Sequence, residues 1–331
     1  MPILMPSFNN PPAYMGFVGF LRYNVGGNQL IVRATSCDIK LSQDNSVPEV
    51  VDGRYDRTVI QYGPFQVGGS AAFPALYGRD SVSGLSPAGI LLGYTLVRNP
   101  TQATLYSIPI DVKYTTESTG YTYENSIINT FKFAVAQSDI VSITTEVIAT
   151  NRNPISQSGR SLALLETDTP QTRTVQWNDA FVLMYVGSSN QSIVDGRFVR
   201  SFEVTFNNNA ERYYTLNGTL FPQAVAPRKR DITGTATFLG RIPELSNQAF
   251  TNTERCFEQS RIRFGYNVPT TSGCYGALDV TLPNVVFQPE EIALTNDLFE
   301  TTVAFRSLPD TQTQLTDGID GIINPATGAA M

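Results

Sequence analysis

The side chains that most often do chemistry are scarce or badly placed in this chain. Histidine is absent, which removes the usual general base, the usual neutral-pH switch and the commonest metal ligand together. Glu290-Glu291 is an adjacent carboxylate pair, but neighbours along a strand or turn point apart, so it reads as a surface pair and not an acid/base couple. Gly68-Gly69-Ser70 has no following glycine and lies in an alternating run. It reads as a close backbone approach in a curved sheet, not as a nucleophile elbow. Phosphate-loop, dinucleotide-fold and zinc spacings are missing. The expected catalytic, cofactor-binding and metal residues are therefore none, and an enzyme is not expected.

Cysteines stand at 37, 256 and 274, an odd number with no repeat between the two halves. They read as small hydrophobes in a reducing compartment. Whether Cys256 and Cys274 pair stays open, and without two further ligands they cannot close a zinc site.

What positions the remaining residues is a repeat. Ser36–Phe73 has a gapless counterpart at Ser201–Phe238, 165 residues on: Ser36 falls on Ser201, Gly53 on Gly218, Gly69 on Gly234, Ala71 on Ala236 and Phe73 on Phe238. Half the chain length separates the copies, so residues 1–160 and 161–331 read as two homologous domains, each large enough to bury a core. The first 165 residues carry 11 acidic and 11 basic groups; the rest carry 18 and 12, so the whole net charge of −6 sits in the second half. An acidic protein repels nucleic acid at long range, which disfavours tight DNA binding. No apolar run is long enough to span a membrane as a helix, and Met1–Phe20 lacks the pattern of a secretory signal.

Most segments alternate with period two. Cys37, Ile39 and Leu41 share one face, with Ser36, Asp38 and Lys40 opposite. Phe202, Val204 and Phe206 repeat this, as do the strands Val67–Phe73 and Ile232–Phe238. Long hairpins, Pro48–Phe65 and Tyr213–Arg230, join these strands and carry Asp52-Gly53 and Asn217-Gly218 turns. Helices are expected at Ser86–Val97 and Pro243–Ser260. Further strands are expected at Ser126–Ala136, Val141–Ala149, Asp279–Phe287 and Glu300–Arg306, with Ile128–Phe133 matching Leu282–Phe287. The join is placed at Asn151–Thr174. Leu308–Met331 reads as a loosely held tail or an arm that orders on a neighbour.

The strands Val-Gly-Gly-Ser-Ala-Ala-Phe and Ile-Thr-Gly-Thr-Ala-Thr-Phe, each after a long hairpin and before a helix, resemble the tail-tube family of tailed bacteriophages over roughly residues 17–150 and 180–306. The resemblance implies a mainly β fold: two tandem tail-tube-like domains, each a β-sandwich or partial barrel with a flanking helix. Six such domains close a ring in that family, so a two-domain chain implies a trimeric, pseudo-hexameric ring, stacked into a conduit for the genome. It implies residence in the virion tail after assembly in the host cytoplasm, with no cofactor. Implied partners are other copies of the chain, tape-measure, hub and terminator proteins, DNA in transit and, if the tail is a contractile one, which the sequence leaves open, a contractile sheath. The face bearing Asp38, Lys40, Ser70, Glu203, Thr205, Asp231, Thr233 and Thr235 is expected to line the lumen as a smooth acidic surface. The charged tips Arg54-Tyr55-Asp56-Arg57 and Arg228-Lys229-Arg230 are expected to contact the next ring. The alternatives are a baseplate hub or tube initiator of the same tail, a cellular injection tube, and a two-domain β-sandwich that binds or cleaves carbohydrate.

Overall fold

The alternating segments do become strands. The computed structural model describes residues 19–25, 28–46, 61–76, 86–99, 104–114, 120–155, 174–185, 192, 199–216, 219–240, 260–268, 276–282, 284–288, 291–294, 299–307 and 314–315. The chain opens with β1 (Gly19–Val25), β2 (Asn28–Ala34), β3 (Ser36–Cys37), β4 (Lys40–Ser46) and β5 (Gln61–Pro74), followed by helix α1 (Pro87–Leu96). Next come β6 (Arg98–Asn99), β7 (Thr104–Leu105), β8 (Ile108–Tyr114), β9 (Gly120–Ala136), β10 (Ser142–Ala149) and β11 (Asn151–Pro154).

A 3-10 turn at Trp177–Asp179 precedes β12 (Ala180–Tyr185), β13 (Val199–Asn207), β14 (Glu211–Tyr213), β15 (Ala224–Ala226) and β16 (Asp231–Leu239). The last strands are β17 (Arg261–Val268), β18 (Gly276–Leu282), β19 (Val285–Phe287), β20 (Glu291–Leu294), β21 (Phe299–Ser307) and β22 (Gln314–Leu315). The fold is mainly β, and the pairings are antiparallel.

One continuous wall runs β4/β3–β5–β10–β9–β13–β16–β21–β19/β20. Its first four positions come from the first half and its last four from the second, and they are wired alike. Lys40 faces Gly68 as Thr205 faces Thr233. Ile143 faces Phe73 as Thr301 faces Phe238. Val147 faces Ile128 as Phe305 faces Phe287, and Ile143 faces Phe133 as Thr301 faces Ile292. Hence Phe287 occupies the position of Ile128, and Ile292 that of Phe133. The expected match of Ile128–Phe133 with Leu282–Phe287 is five residues out of step. The cause is local: both strands break their alternation at a left-handed asparagine, Asn125 (φ 48°) and Asn284 (φ 57°), and again at an extra residue opposite Glu146/Val147 and opposite Phe305–Thr302.

Those asparagines are corners. Beyond Asn125, the start of β9 leaves the wall to pair with β8, which pairs with β1. Beyond Asn284, β18 pairs with β17, which pairs with β12. The expected strand Asp279–Phe287 is thus two strands in two sheets. Each half is a wall packed on a second sheet: Tyr23 of β1 meets Phe73, and Phe264 of β17 meets Phe133 and Phe202. A single apolar cluster joins both halves.

The helix expected at Ser86–Val97 is α1. Ser86 caps it by accepting from the Gly89 amide at 3.2 Å, and Pro87 opens it. It is apolar all round and buried from Pro87 to Thr95, as a helix covered on every side must be. Residues 243–259 of the second expected helix, residues 156–173 of the expected join, the tip Asp52–Arg57 and most of the tail lie outside the described residues, as do Cys256 and Cys274. The start of the expected join is strand β11, paired with β9. Of the tail, Gln314–Leu315 pairs with β18.

Candidate functional site

Strand register builds one broad polar face from both halves. A row across the wall reads Ser36, Ala72, Thr144, Lys132, Thr205, Thr233, Arg306 and Val286. The next row on one side carries Ser142, Ala134, Glu203 and Thr235. The next on the other side carries Ser70, Glu146, Thr130, Asn207 and Asp231, with the Asp38 amide bonded to the Ser70 carbonyl at 2.7 Å. All eight residues expected on one face, Asp38, Lys40, Ser70, Glu203, Thr205, Asp231, Thr233 and Thr235, do share it. Their strand neighbours Ile39, Val67, Val204, Phe206, Ile232 and Ala236 point the other way and are buried.

This face differs from the expected acidic surface in its charge balance. Lys132 reaches across β9–β13 to Glu203 at 2.8 Å, Lys40 sits 2.9 Å from Asp38, and Arg306 pairs with Asp231. The Arg306 guanidinium, and then the Asn209 amide, hold the Asp231 carboxyl below the usual carboxylate range. Glu146 accepts from Thr130 at 2.8 Å and Asn129 at 3.3 Å. Lys132, Glu146 and Arg306 were not picked out from sequence; their signal is that each sits at an outward position of an alternating strand. Between the pairs lie small alanine, serine and threonine side chains. The face offers an approaching polyanion few uncompensated cations and few bare carboxylates.

Close backbone approach explains the glycines behind it. Gly68 (φ 140°) and Gly69 (φ 146°) lie in the positive region, and a Cβ on either would collide with the carbonyl oxygen of Val147 or Asp38. Cys37, half-buried against the core and unpaired, has its thiol pushed up to about 11, chiefly by burial.

The second hairpin leans on the first half. Tyr214 donates its hydroxyl to the Phe65 carbonyl at 2.8 Å, the Phe65 amide bonds the Leu220 carbonyl at 2.8 Å, and Phe65 stacks on Phe221 at 4.7 Å. Arg228 pairs with Glu211. Lys229 gives its carbonyl to Asn209 at 2.9 Å. Arg230 is turned inward: it donates to Asn208 Oδ1 at 2.9 Å and to the Thr95 and Leu96 carbonyls at the end of α1. The hairpin exposes the large apolar side chains Tyr213, Tyr214, Leu216 and Leu220 alongside the polar Thr215, Thr219, Gln223, Arg228 and Lys229. Arg54, Tyr55, Asp56 and Arg57 lie outside the described residues.

Among the described residues no cluster of His, Cys, Asp and Glu could hold a metal ion, and no helix is long and apolar enough to cross a membrane. No curated protein shows a significant match to the chain. A family profile described as phage tail tube protein matches residues 7–305. With nearly the full length matched, a duplicated wall and a polar face shared by both copies, the chain belongs to the phage tail tube protein family, whose members are structural components of the virion tail.

Proposed function

We propose that this chain builds the tube itself, as stacked rings of three copies with pseudo-sixfold symmetry that pass the genome. The supporting observation is the β9–β13 junction, where two four-strand units join edge to edge in one sheet. Repeating that join brings six units, roughly 24 strands, into a closed wall. At about 4.8 Å per strand and about 45° tilt, the backbone diameter is near 50 Å, wide enough for duplex DNA once side chains are subtracted. Closure also removes exposed sheet edges.

In this reading residues 1–160 and 161–331 are the two tube domains. The face of Asp38, Lys40, Ser70, Glu203, Thr205, Asp231, Thr233 and Thr235 lines the lumen. Its paired charges and small hydroxyls let phosphates slide past without being held. The hairpins carrying Arg54–Arg57 and Arg228–Arg230 bridge successive rings, a head-to-tail contact that makes an open filament. The role is structural and not enzymatic. The partners are further copies of the chain, then tape-measure, hub and terminator proteins and, in a contractile tail, a sheath; assembly takes place in the host cytoplasm.

Negative-stain or cryo-electron microscopy of the purified chain tests this. Stacked rings with three-fold symmetry and six-fold pseudo-symmetry are expected. Monomers that bind glycans, or single rings that never stack, would overturn it.

A further inference from the structure

The wall has two ends. Within the described residues, β3 and β4 pair in the wall with β5, and β19 and β20 with β21. The wall has eight positions joined by seven antiparallel pairings, so the strands at its two ends run in opposite directions. A second copy in the same orientation therefore meets the first with antiparallel strands. Resting on the tube-wall reading above, we infer that this meeting reuses the register of β9–β13, with a lysine and a glutamate facing each other across it.

The residues follow from the wiring. Lys40 holds the place of Thr205, because both face the equivalent residue of the next strand, Gly68 or Thr233. Glu291 holds the place of Lys132, facing Thr302 where Lys132 faces Thr144. Since Thr205 faces Lys132 inside the chain, Lys40 of one copy faces Glu291 of the next. One pair along, Glu203 faces Ala134, so Asp38 faces Ala293.

The internal junction thus puts its cation on the β9 side, Lys132, and its anion on the β13 side, Glu203, at 2.8 Å. The external junction puts Glu291 on the β20 side directly opposite Lys40 on the β4 side, with Asp38 beside Lys40 in the place that Glu203 takes at the internal junction. Opposite charges facing across antiparallel strands stabilise a register, and like charges disfavour it. The wrong combinations are penalised. Placing β9 against a neighbour's β4 sets Lys132 opposite Lys40, and placing β20 against β13 sets Glu291 opposite the uncharged Thr205, where it loses its cation. The two joins share one geometry yet cannot exchange strands freely, which protects the chain from swapping halves with its neighbours.

Two measurements on the full-length chain test this. In a background with the native cysteines replaced, Asp38→Cys with Ala293→Cys should link copies covalently on oxidation, up to a closed trimer. Lys40→Cys with Ala293→Cys, a diagonal pair about 7–8 Å apart, should not link. Separately, Lys40→Glu should reduce sedimentable tubes about tenfold, as should Glu291→Lys, and the double exchange should restore them. Tubes whose 38/293 pair stays unlinked, or a double exchange that fails to rescue, would overturn the register. A wild-type chain that forms neither rings nor tubes would instead overturn the tube-wall reading.

Discussion

Arg230 donates a hydrogen bond from Nη2 to the carbonyl oxygen of Leu96 at 2.6 Å, and so closes the end of a first-half helix with a second-half side chain. The last carbonyls of a helix have no partner inside it, and a cation there is favoured by the helix dipole. Asn208 completes the cap. It is fully buried, donates to the Thr95 carbonyl at 2.9 Å, and accepts from Arg230. The halves are therefore latched together behind the wall as well as through it.

Removing that latch should loosen the join between the halves. Asn208→Ala removes the side-chain hydrogen bonds to the Thr95, Ile128 and Asn129 carbonyls and the buried acceptor of Arg230. It should cost about 2 kcal/mol, with Arg230→Ala costing about 1–2 kcal/mol. Because the two side chains bond one another, the double variant should lose less than the sum of the singles. Urea titration of the soluble chain checks all three.

A second measurement concerns acid. Asp111 is buried against Arg22, with Nε–Oδ2 at 2.7 Å and both side chains fully covered. Burial pushes its carboxyl up, but hydrogen bonds from Thr122 and Asn24 and the charge of Arg22 outweigh it, holding the group below the usual carboxylate range. A depressed native value means the stabilisation is complete above the ordinary carboxylate range and fades as pH falls through that native value. Melting temperature should drop along this limb, and Asp111→Asn should flatten the dependence. At neutral pH the same variant leaves Arg22 buried without its counter-ion and should cost about 3–5 kcal/mol.

Gly69→Ala places a methyl group on the Asp38 carbonyl at a positive φ. It should destabilise by several kcal/mol and deplete soluble protein, whereas Ala72→Ser on the same strand should be nearly silent. Expression level and thermal melts separate the two.

If the polar face lines a conduit, making it sticky should leave assembly intact and impair passage. A Ser70→Lys, Thr233→Lys, Thr235→Lys variant should still form tubes of normal diameter. Those tubes should retain labelled duplex DNA at low salt and release it as salt rises, while wild-type tubes retain little under either condition. Filter binding on purified tubes reads this directly.

The wall strands were legible from alternation alone, because each buries one face and leaves the other polar. The repeat Ser36–Phe73 against Ser201–Phe238 aligned them in the register that the pairing confirms. The second sheet was less legible. Arg22 and Asp111 are polar residues at buried positions, made acceptable by each other and by Thr122 and Asn24, a partnership across 89 residues that no local pattern announces. At Asn125 and Asn284 the period-two pattern breaks, so the match through those corners slipped. Arg230 looked like a charged loop tip because its real partners are backbone carbonyls, which sequence does not mark.

Carrying two wall units on one chain also changes how a ring would nucleate. The β9–β13 join forms within a single molecule, at an effective concentration fixed by the chain and independent of dilution. Only the remaining joins depend on collision. A ring of three such chains is a three-body event where separate units would need six, so its onset should rise less steeply with protein concentration and tolerate scarcer supply. Fusion of the halves thus sets the kinetic order of assembly as well as its geometry.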